Sequence, residues 1–341
     1  MRTKQQSRHL ITTAAAIAVM VMAGVTSAFA QAARPETTVS LLSAPFGTAT
    51  YVLFNTLEQI SKKNHPWLRI SSSESPGFVF NVKKLDAEPE LRKTTIIGSG
   101  PAVGRLASDG VRPFDKKLPS MKVIGNATIV VVWLATTDPK IKSADDVKGK
   151  RIGLGQAAQI NWAVLPRAVV EHGWGILKQV NVQYLGPKPA ITALLDGKVD
   201  LAIAGGYLNA ETATLALSPQ TSELIASGRS LHHLPFGTDA VKKTEPKGYQ
   251  IEPYTIAKGA IDGKNEPLES FIDSAAWMVA PEFPDEIAYE TTKLLINHIG
   301  EFGEVHAIGK LMSLKGLVLG WKPEDIHPGA LRAYKEAGII K

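Results

Sequence analysis

The sequence predicts an α/β protein built from two lobes. Apolar stretches of strand length alternate with stretches of helical periodicity, and turn residues separate them at the spacing of parallel α/β units. Two long apolar runs, 121–126 and 129–137, lie near the middle of the chain. The composition, 44% hydrophobic and 21% charged over 341 residues, is that of an ordinary globular protein of one to three domains.

The first thirty residues have the pattern of a secretory signal peptide. Three basic residues open the segment: Arg2, Lys4 and Arg8. An apolar stretch over 10–25 follows, and Ala28-Phe29-Ala30 matches a small-residue cleavage site. A membrane anchor is the alternative, but the stretch is short for a span and no stop-transfer pattern follows it. We therefore expect export and cleavage after Ala30.

Strands and helices are expected to alternate along the mature chain. Before the central runs, the order is strand 37–44, helix 49–63, strand 68–73, a helix opened by Pro76-Gly77, strand 94–98 and helix 100–108. After them, it is strand 151–154, helix 159–172, strand 180–185, helix 190–195, strand 199–204, a helix from Asn209, strand 231–235, a return crossing over 254–261, strand 274–280 and helix 285–299. This alternation implies a parallel sheet covered on both faces.

The two central runs indicate that a second lobe is inserted into the first. We expect lobe 1 over 31–132 and 256–341, and lobe 2 over 133–255, with joining strands near 130–138 and 250–260. Two lobes joined by two strands form a hinge around a cleft, and ligand-induced closure uses this geometry.

Three strand-to-helix turns are predicted to meet at this cleft, beyond the carboxyl ends of the strands. Helix N-termini there offer unpaired N–H groups and partial positive charge, which suit a carboxylate. The candidate ligand-binding residues, in these turns and in a glycine turn after strand 199–204, are Phe46, Gly47, Thr48, Tyr51, Ser99, Gly100, Gln156, Asn161, Trp162, Gly205, Gly206 and Tyr207.

Each candidate also has a purely structural interpretation. Thr48 fits a helix cap, Trp162 fits a core position at helical spacing, and Tyr207 fits a packed side chain beside a tight turn. No arginine stands in these turns, which favours recognition by backbone amides and neutral polar groups over a bidentate arginine clamp.

Catalytic, metal-binding and nucleic-acid-binding functions have little support. The sequence lacks a G-x-S-x-G elbow, an H-E-x-x-H pair, a Walker loop and a G-x-G-x-x-G motif, and it contains no cysteine. Its eight histidines are scattered without ligand spacing. Loss of the three basic leader residues lowers the formal charge from +6 to +3, which is too mild for a nucleic-acid-binding surface. We expect no catalytic residue, no metal and no cofactor.

Several segments along the mature chain carry motifs of a known family. In chain order they are Glu74-Ser75-Pro76-Gly77 with Asn81, VKGKRIGLG over 147–155, LLDGKVDL over 194–201, IAYE over 287–290, and His327-Pro328-Gly329-Ala330. Together they resemble the TAXI family of solute receptors, the extracytoplasmic binding proteins of tripartite ATP-independent (TRAP) transporters.

The resemblance implies a periplasmic receptor with the two-lobed type II periplasmic-binding-protein fold. Such a receptor traps a small organic anion, either a carboxylate or an amino acid, and delivers it to membrane permease subunits. Two cleft loops, 43–51 and 155–162, depart from the family's glycine-rich patterns, so the resemblance does not identify the ligand. An ABC-importer receptor and a sensory ligand-presenting protein of the same fold are the alternatives, and an exported hydrolase is the alternative from another class.

Overall fold

Eleven strands join in one sheet in the computed structural model, which describes residues 34–46, 48–249 and 251–341. The predicted signal peptide lies outside the described residues. The strands are β1 (Thr37–Leu42), β2 (Leu68–Ser73), β3 (Thr95–Ser99), β4 (Lys122–Thr136), β5 (Arg151–Leu154), β6 (Asn181–Tyr184), β7 (Leu201–Leu208), β8 (Leu215–Leu217), β9 (His232–Leu234), β10 (Glu252–Ile256) and β11 (Leu268–Val279).

The strand order is β2-β1-β3-β11-β4-β7-β5-β6, with β8, β9 and β10 paired at the sides of β7, β4 and β11. β1 pairs with β3, and β5 pairs with β6 and β7, in parallel. The two central strands, β4 and β11, are the longest, and they pair antiparallel with each other. On its other side, β4 pairs antiparallel with β7, and β11 pairs antiparallel with β3. They join a first half of the sheet (β1–β3) to a second half (β5–β7).

Helices cover this sheet and follow most of its strands. They are α1 (Ala49–Asn64), α2 (Phe78–Ala87), α3 (Pro101–Asp109), α4 (Leu165–Ala168), α5 (Pro187–Leu195), α6 (Pro219–Ala226), α7 (Thr238–Lys242), α8 (Asp285–Asn297), α9 (Glu301–Val305) and α10 (Pro328–Glu336). π-helical turns, Ile160–Val164 and Val169–Gly173, flank α4. None of the helices in the described ranges combines the length and apolar character that a membrane crossing requires.

The core lies along the central strands. Every residue of β4 after Lys122 is buried, and Trp277 of β11 stacks on Phe54 of α1 with ring centroids 5.0 Å apart. Residues Thr38–Lys341 pack as one compact unit around the sheet. The α/β class is confirmed, and the boundaries of the two lobes stay a prediction.

The HPGA motif starts α10 through a buried histidine. His327 is fully buried, its Nε2 lies 3.0 Å from the carbonyl oxygen of Phe283, and its Nδ1 accepts the N–H of Gly329 at 3.3 Å. With both nitrogens bonded to the backbone, the imidazole has a structural role at the start of α10.

Several predicted elements differ in extent. The two central runs form one strand, β4, because the pairing with β11 shifts register at Ala127 instead of turning. The return crossing expected over 254–261 is wrong: β10 pairs only with the first residues of β11, and β11 itself is the long returning strand. The helix expected from Asn209 is also wrong. The Asn209 side chain accepts the N–H groups of Glu211 and Thr212, which makes a turn.

We expect Asn126→Ala to lower the free energy of unfolding by about 2–4 kcal/mol. The Asn126 amide donates to the carbonyl oxygens of Gly316 and Leu319, and its oxygen accepts the Trp321 indole N–H, so it ties a C-terminal loop to β4. Urea denaturation measures the loss. The matched control is Asn64→Ala, whose side chain bonds only to its own helix at Ile60; an equal loss in both variants would contradict this role.

Candidate functional site

Polar side chains share one face of the sheet where its two central strands cross. Asp273 on β11 lies opposite Val130 on β4, and Val130 lies opposite Tyr207 on β7. Directly opposed residues of antiparallel strands project to the same side, so Asp273 and Tyr207 leave one face, two strands or about 10 Å apart. Thr128, opposite Ala275, adds a hydroxyl to this face. We call Asp273, Thr128 and Tyr207 the crossing site.

Asp273 is a buried carboxylate that has hydrogen bonds but no countercharge. It is 7% exposed, and it accepts the backbone N–H groups of Ser274 and Ala102. Burial raises the pKa of Asp273 to about 7, because desolvation of the charged form outweighs these two donors. Among the described residues, no basic side chain forms an ion pair with it. A group in this situation gains free energy when a ligand supplies a positive charge or a donor.

The N-terminus of α3 reaches Asp273 through a close backbone approach. An added Cβ at Gly100 would overlap the carbonyl oxygen of Ser274 and would come within 3.8 Å of the Asp273 carboxylate. Only glycine therefore lets the chain enter α3 at this point. We expected this helix N-terminus to receive a ligand's carboxylate, yet its Ala102 N–H is bound to the protein's own carboxylate.

Asn81 holds the ends of two strands that lead to the predicted cleft. It is fully buried, and its Nδ2 lies 3.2 Å from the carbonyl oxygen of Leu42, 3.0 Å from that of Ser43 and 2.9 Å from that of Gly98. Because these carbonyls belong to the last residues of β1 and β3 and to the turn after β1, one side chain fixes the spacing of two of the three predicted turns.

The segment after β5 brings an aromatic ring to the crossing site. Pro166 has no N–H, so the carbonyl oxygen of Trp162 lacks its α-helical donor and accepts the N–H of Gly155 at 2.8 Å. The ring of Trp162 lies 3.0 Å from the position of a Cβ at Gly205. Gly205 and Tyr207 are two residues apart on β7 and therefore share a face. Trp162 thus packs on the face that carries the crossing site.

Gly205, Gly206 and Tyr207 lie inside β7, so the predicted glycine turn is wrong. The strand continues because both glycines allow close approach: a Cβ would come within 2.6 Å of the Val131 carbonyl oxygen at Gly205, and within 2.5 Å of the Ala216 carbonyl oxygen at Gly206. Burial raises the pKa of Tyr207 to about 12. Its hydroxyl is therefore a neutral hydrogen-bond donor at physiological pH.

One buried polar atom of the crossing site lacks a hydrogen-bond partner. Within the described ranges, Thr128 Oγ1 is unbonded, as is Asn161 Oδ1 in the segment that carries Trp162. Ser274 Oγ is also unbonded, but Ser274 follows Asp273 on β11 and therefore projects to the other face of the sheet. Buried polar groups in folded proteins are nearly always hydrogen-bonded, so the Thr128 hydroxyl stands out on the face that carries Asp273.

The remaining predicted residues stand in two turns. Phe46 is 75% exposed and packs edge-on against Tyr51, with ring centroids 5.3 Å apart. Thr48 caps α1: its hydroxyl accepts the Tyr51 N–H at 3.1 Å and donates to the carbonyl of Pro45 at 2.8 Å. The Gln156 N–H donates to the side chain of Gln159. Gly47 lies outside the described residues, and ligand contacts by these residues stay a prediction.

The chain segments around the predicted cleft carry acidic but no basic side chains. The acids are Asp273 and Glu74, whose carboxylate accepts the N–H of Phe46 at 3.0 Å. The segments without any ionisable Lys, Arg, His, Asp or Glu are 43–51, 98–102, 126–130, 155–162 and 205–209. A dianionic ligand would find no countercharge in them.

Little free space exists at the crossing site. The cavity beside Thr128 and Tyr207 measures about 20 Å³, which holds one water molecule. A groove of about 690 Å³ lies elsewhere, along residues 228–233 and 262–268. The buried imidazole there, His233, is bonded at both nitrogens, to the Trp133 indole at 3.1 Å and to Asp262 at 3.3 Å. The hydrogen-bonding capacity of His233 is therefore met within the protein.

The fold, with two halves joined by a pair of central strands, is the mixed α/β fold of two-lobed periplasmic binding proteins. The chain belongs to the NMT1-like family, whose model matches residues 41–338. Two solved structures are similar to it. Rpa4515 of R. palustris, solved with adipate, has a TM-score of 0.50 at 15% identity over 90% of this chain and 95% of that one. MatC from Rhodopseudomonas palustris, with bound malate, has a TM-score of 0.50 at 11% identity over 89% and 97%.

Sequence reasoning missed Asp273 and Thr128. The signal for Asp273 is present, since a single carboxylate stands in the otherwise apolar stretch FIDSAAWMVA over 271–280. The predicted strand begins at Ser274, whereas β11 begins at Leu268, so the prediction leaves Asp273 just outside the strand. A charged residue inside a central strand is costly and therefore points to function.

Asp273→Asn is expected to abolish the loss of stability that Asp273 causes as the pH rises. The native state holds the Asp273 proton up to about pH 7, whereas the unfolded chain loses it near the ordinary value of 3.8. The Asp273 contribution to the free energy of unfolding therefore falls as the pH rises between these values. Relative to the wild type, the variant should gain about 2–3 kcal/mol between pH 5 and pH 8.

Denaturant titrations of both proteins at several pH values measure this difference in the free energy of unfolding. The contributions of the other titrating groups cancel, because both proteins contain them. Asp145→Asn, at an exposed position paired with Lys148, is the control and should keep the slope of the wild type. Parallel stability curves for the wild type and Asp273→Asn would show that the carboxylate is charged at all these pH values.

Proposed function

We propose that the protein is an exported receptor that binds a small organic acid, a carboxylate or an amino acid, at the crossing site. The observation that carries the proposal is the buried Asp273 carboxyl without a countercharge from the described residues, on the same face as the unbonded Thr128 hydroxyl, at the strands that join the two halves of the sheet. In a fold of the periplasmic binding proteins, this location is where a solute contacts both halves.

The chemistry of similar structures supports a small organic acid. Rpa4515 was solved with adipate and MatC with bound malate. Around the crossing site this chain offers hydroxyls, an amide and an indole as partners: Thr128, Tyr207, Asn161 and Trp162. With the predicted signal peptide, these features support a periplasmic location.

Binding requires the two halves to separate and close again. A cavity of about 20 Å³ admits no organic solute, so the solute enters an open form and closure buries it. Closure adds contacts from Asn161, Trp162 and Tyr207 on the second half to those from Asp273 and the start of α3. Contacts made only in the closed form shift the population towards it.

Delivery to the permease subunits of a TRAP transporter is the proposed next step, and the TAXI-like motifs support it. An ABC importer and a membrane-bound sensor kinase are the other partners that suit a receptor of this fold. Genes that encode large and small TRAP permease subunits next to this one would favour the first.

A solute screen tests the proposal. A ligand at a hundred times its Kd should raise the free energy of unfolding of residues 31–341 by about 2.7 kcal/mol, seen as a thermal shift. We expect shifts from some small organic acids or amino acids and none from esters or sugars of similar size. The absence of a shift with every acid and amino acid would contradict the proposal.

Asn161→Ala is expected to weaken binding of a ligand found in this way by about tenfold, because a buried hydrogen bond is lost. Isothermal titration calorimetry gives the change in Kd. Tyr184→Phe, at a tyrosine that is 43% exposed on β6, is the control and should bind as the wild type does. Equal affinities of the wild type and Asn161→Ala would place the ligand away from the crossing site.

A further inference from the structure

We propose that the ligand carries a protonated amino group that pairs with the Asp273 carboxylate, so that the receptor selects amino acids over dicarboxylates of the same skeleton. This inference rests on the proposed function, and it names the class of solute. Three features carry it: the burial of Asp273, the lack of basic side chains in the predicted cleft segments, and the unbonded Thr128 hydroxyl on the same face.

Asp273 is buried without a countercharge from the described residues. The carboxylate is 7% exposed and receives two backbone N–H groups, from Ser274 and Ala102. A carboxylate has about four lone-pair positions, so two acceptor positions remain unused. Breaking or omitting one partner of a buried ion pair is strongly unfavourable. An ammonium group supplies the missing charge and the missing donors together.

The charges of the cleft segments point the same way. The cleft segments contain no Lys, Arg, His, Asp or Glu, and the two ionisable side chains beside them, Glu74 next to Phe46 and Asp273 next to Gly100, are acidic. A dicarboxylate bound there would bring two negative charges towards Asp273 without a basic side chain to offset them, and it would oppose the ionisation of Asp273. In an amino acid, an ammonium group that attracts Asp273 adds a positive charge that a dicarboxylate lacks. The carboxylate of the amino acid can then accept hydrogen bonds from backbone N–H groups and neutral donors.

Side chains on the face that carries Asp273 can accept hydrogen bonds from an ammonium group. The group has three donors and no acceptor, and the buried oxygen of Thr128 on the same face has no partner within the described chain. One N–H can bond to Asp273 and a second to Thr128. Trp162, beside Gly205, adds a ring whose face attracts cations.

Matched pairs of solutes test the proposal: succinate with aspartate, glutarate with glutamate, and adipate with 2-aminoadipate. Each pair differs only in one amino group. We expect the amino acid of at least one pair to bind at least about tenfold more tightly than its dicarboxylate in calorimetry. Tighter binding of the dicarboxylates would overturn the inference and leave the proposed function intact, whereas no binding by any organic acid or amino acid would overturn both.

Asp273→Asn locates the effect. It keeps the size of the side chain and removes its charge, and we expect the affinity for the amino acid to fall at least about thirtyfold while the affinity for the dicarboxylate rises or stays the same. The thermal unfolding of the unliganded variant shows that it folds. Asp145→Asn should leave both affinities unchanged. An unchanged preference for the amino acid in Asp273→Asn would place the ammonium group elsewhere and overturn the assignment.

Discussion

The antiparallel pairing of β4 with β11 is the interaction on which the rest of the structure depends. The pairing extends from Lys122 and Val279 to Val132 and Phe271, and it joins the two halves of the sheet. Both strands are largely buried, and most of their side chains are apolar. A polar residue placed there is either bonded within the protein or exposed to a molecule that enters between the halves.

Asp273 is such a residue, and the proposed binding function accounts for its unfavourable environment. The native fold desolvates the carboxylate and returns only two backbone hydrogen bonds, so Asp273 reduces stability at neutral pH. Proteins accept a local loss of stability where a binding site needs an unsatisfied group. The glycine at position 100 serves the same end, because it brings the N-terminus of α3 close to Asp273 without a side chain between them.

The fold was largely predictable because it follows from local periodicity. Strands β2 and β5 and helix α1 lie where apolar spacing and caps placed them, and the motifs along the mature chain indicated a solute-binding protein. The extent of β4, β7 and β11 was not predictable in the same way. Gly125-Asn126 and Gly205-Gly206 have the composition of turns, but pairing with neighbouring strands keeps both segments extended.

The site was only partly predictable, for a related reason. Residues in strand-to-helix turns, such as Gly100 and Trp162, could be proposed from their place in the chain. The crossing site depends on the register that sets Asp273, Val130 and Tyr207 in one row across three strands. Register between distant strands is a property of the whole sheet. Likewise, the effect of Pro166 on the turn at Gly155 can be recognised only from the folded backbone.

The most direct test of the account is the distance between the two halves with and without ligand. Because the chain has no cysteine, Phe80→Cys in the first turn of α2 and Lys188→Cys in the first turn of α5 allow spin labels to be placed at one site on each half. Pulsed electron paramagnetic resonance should give a longer and broader distribution of label-to-label distances without ligand. With a solute that stabilises the protein, the distances should be shorter and their distribution narrower. An identical distribution in both conditions would contradict closure around the crossing site.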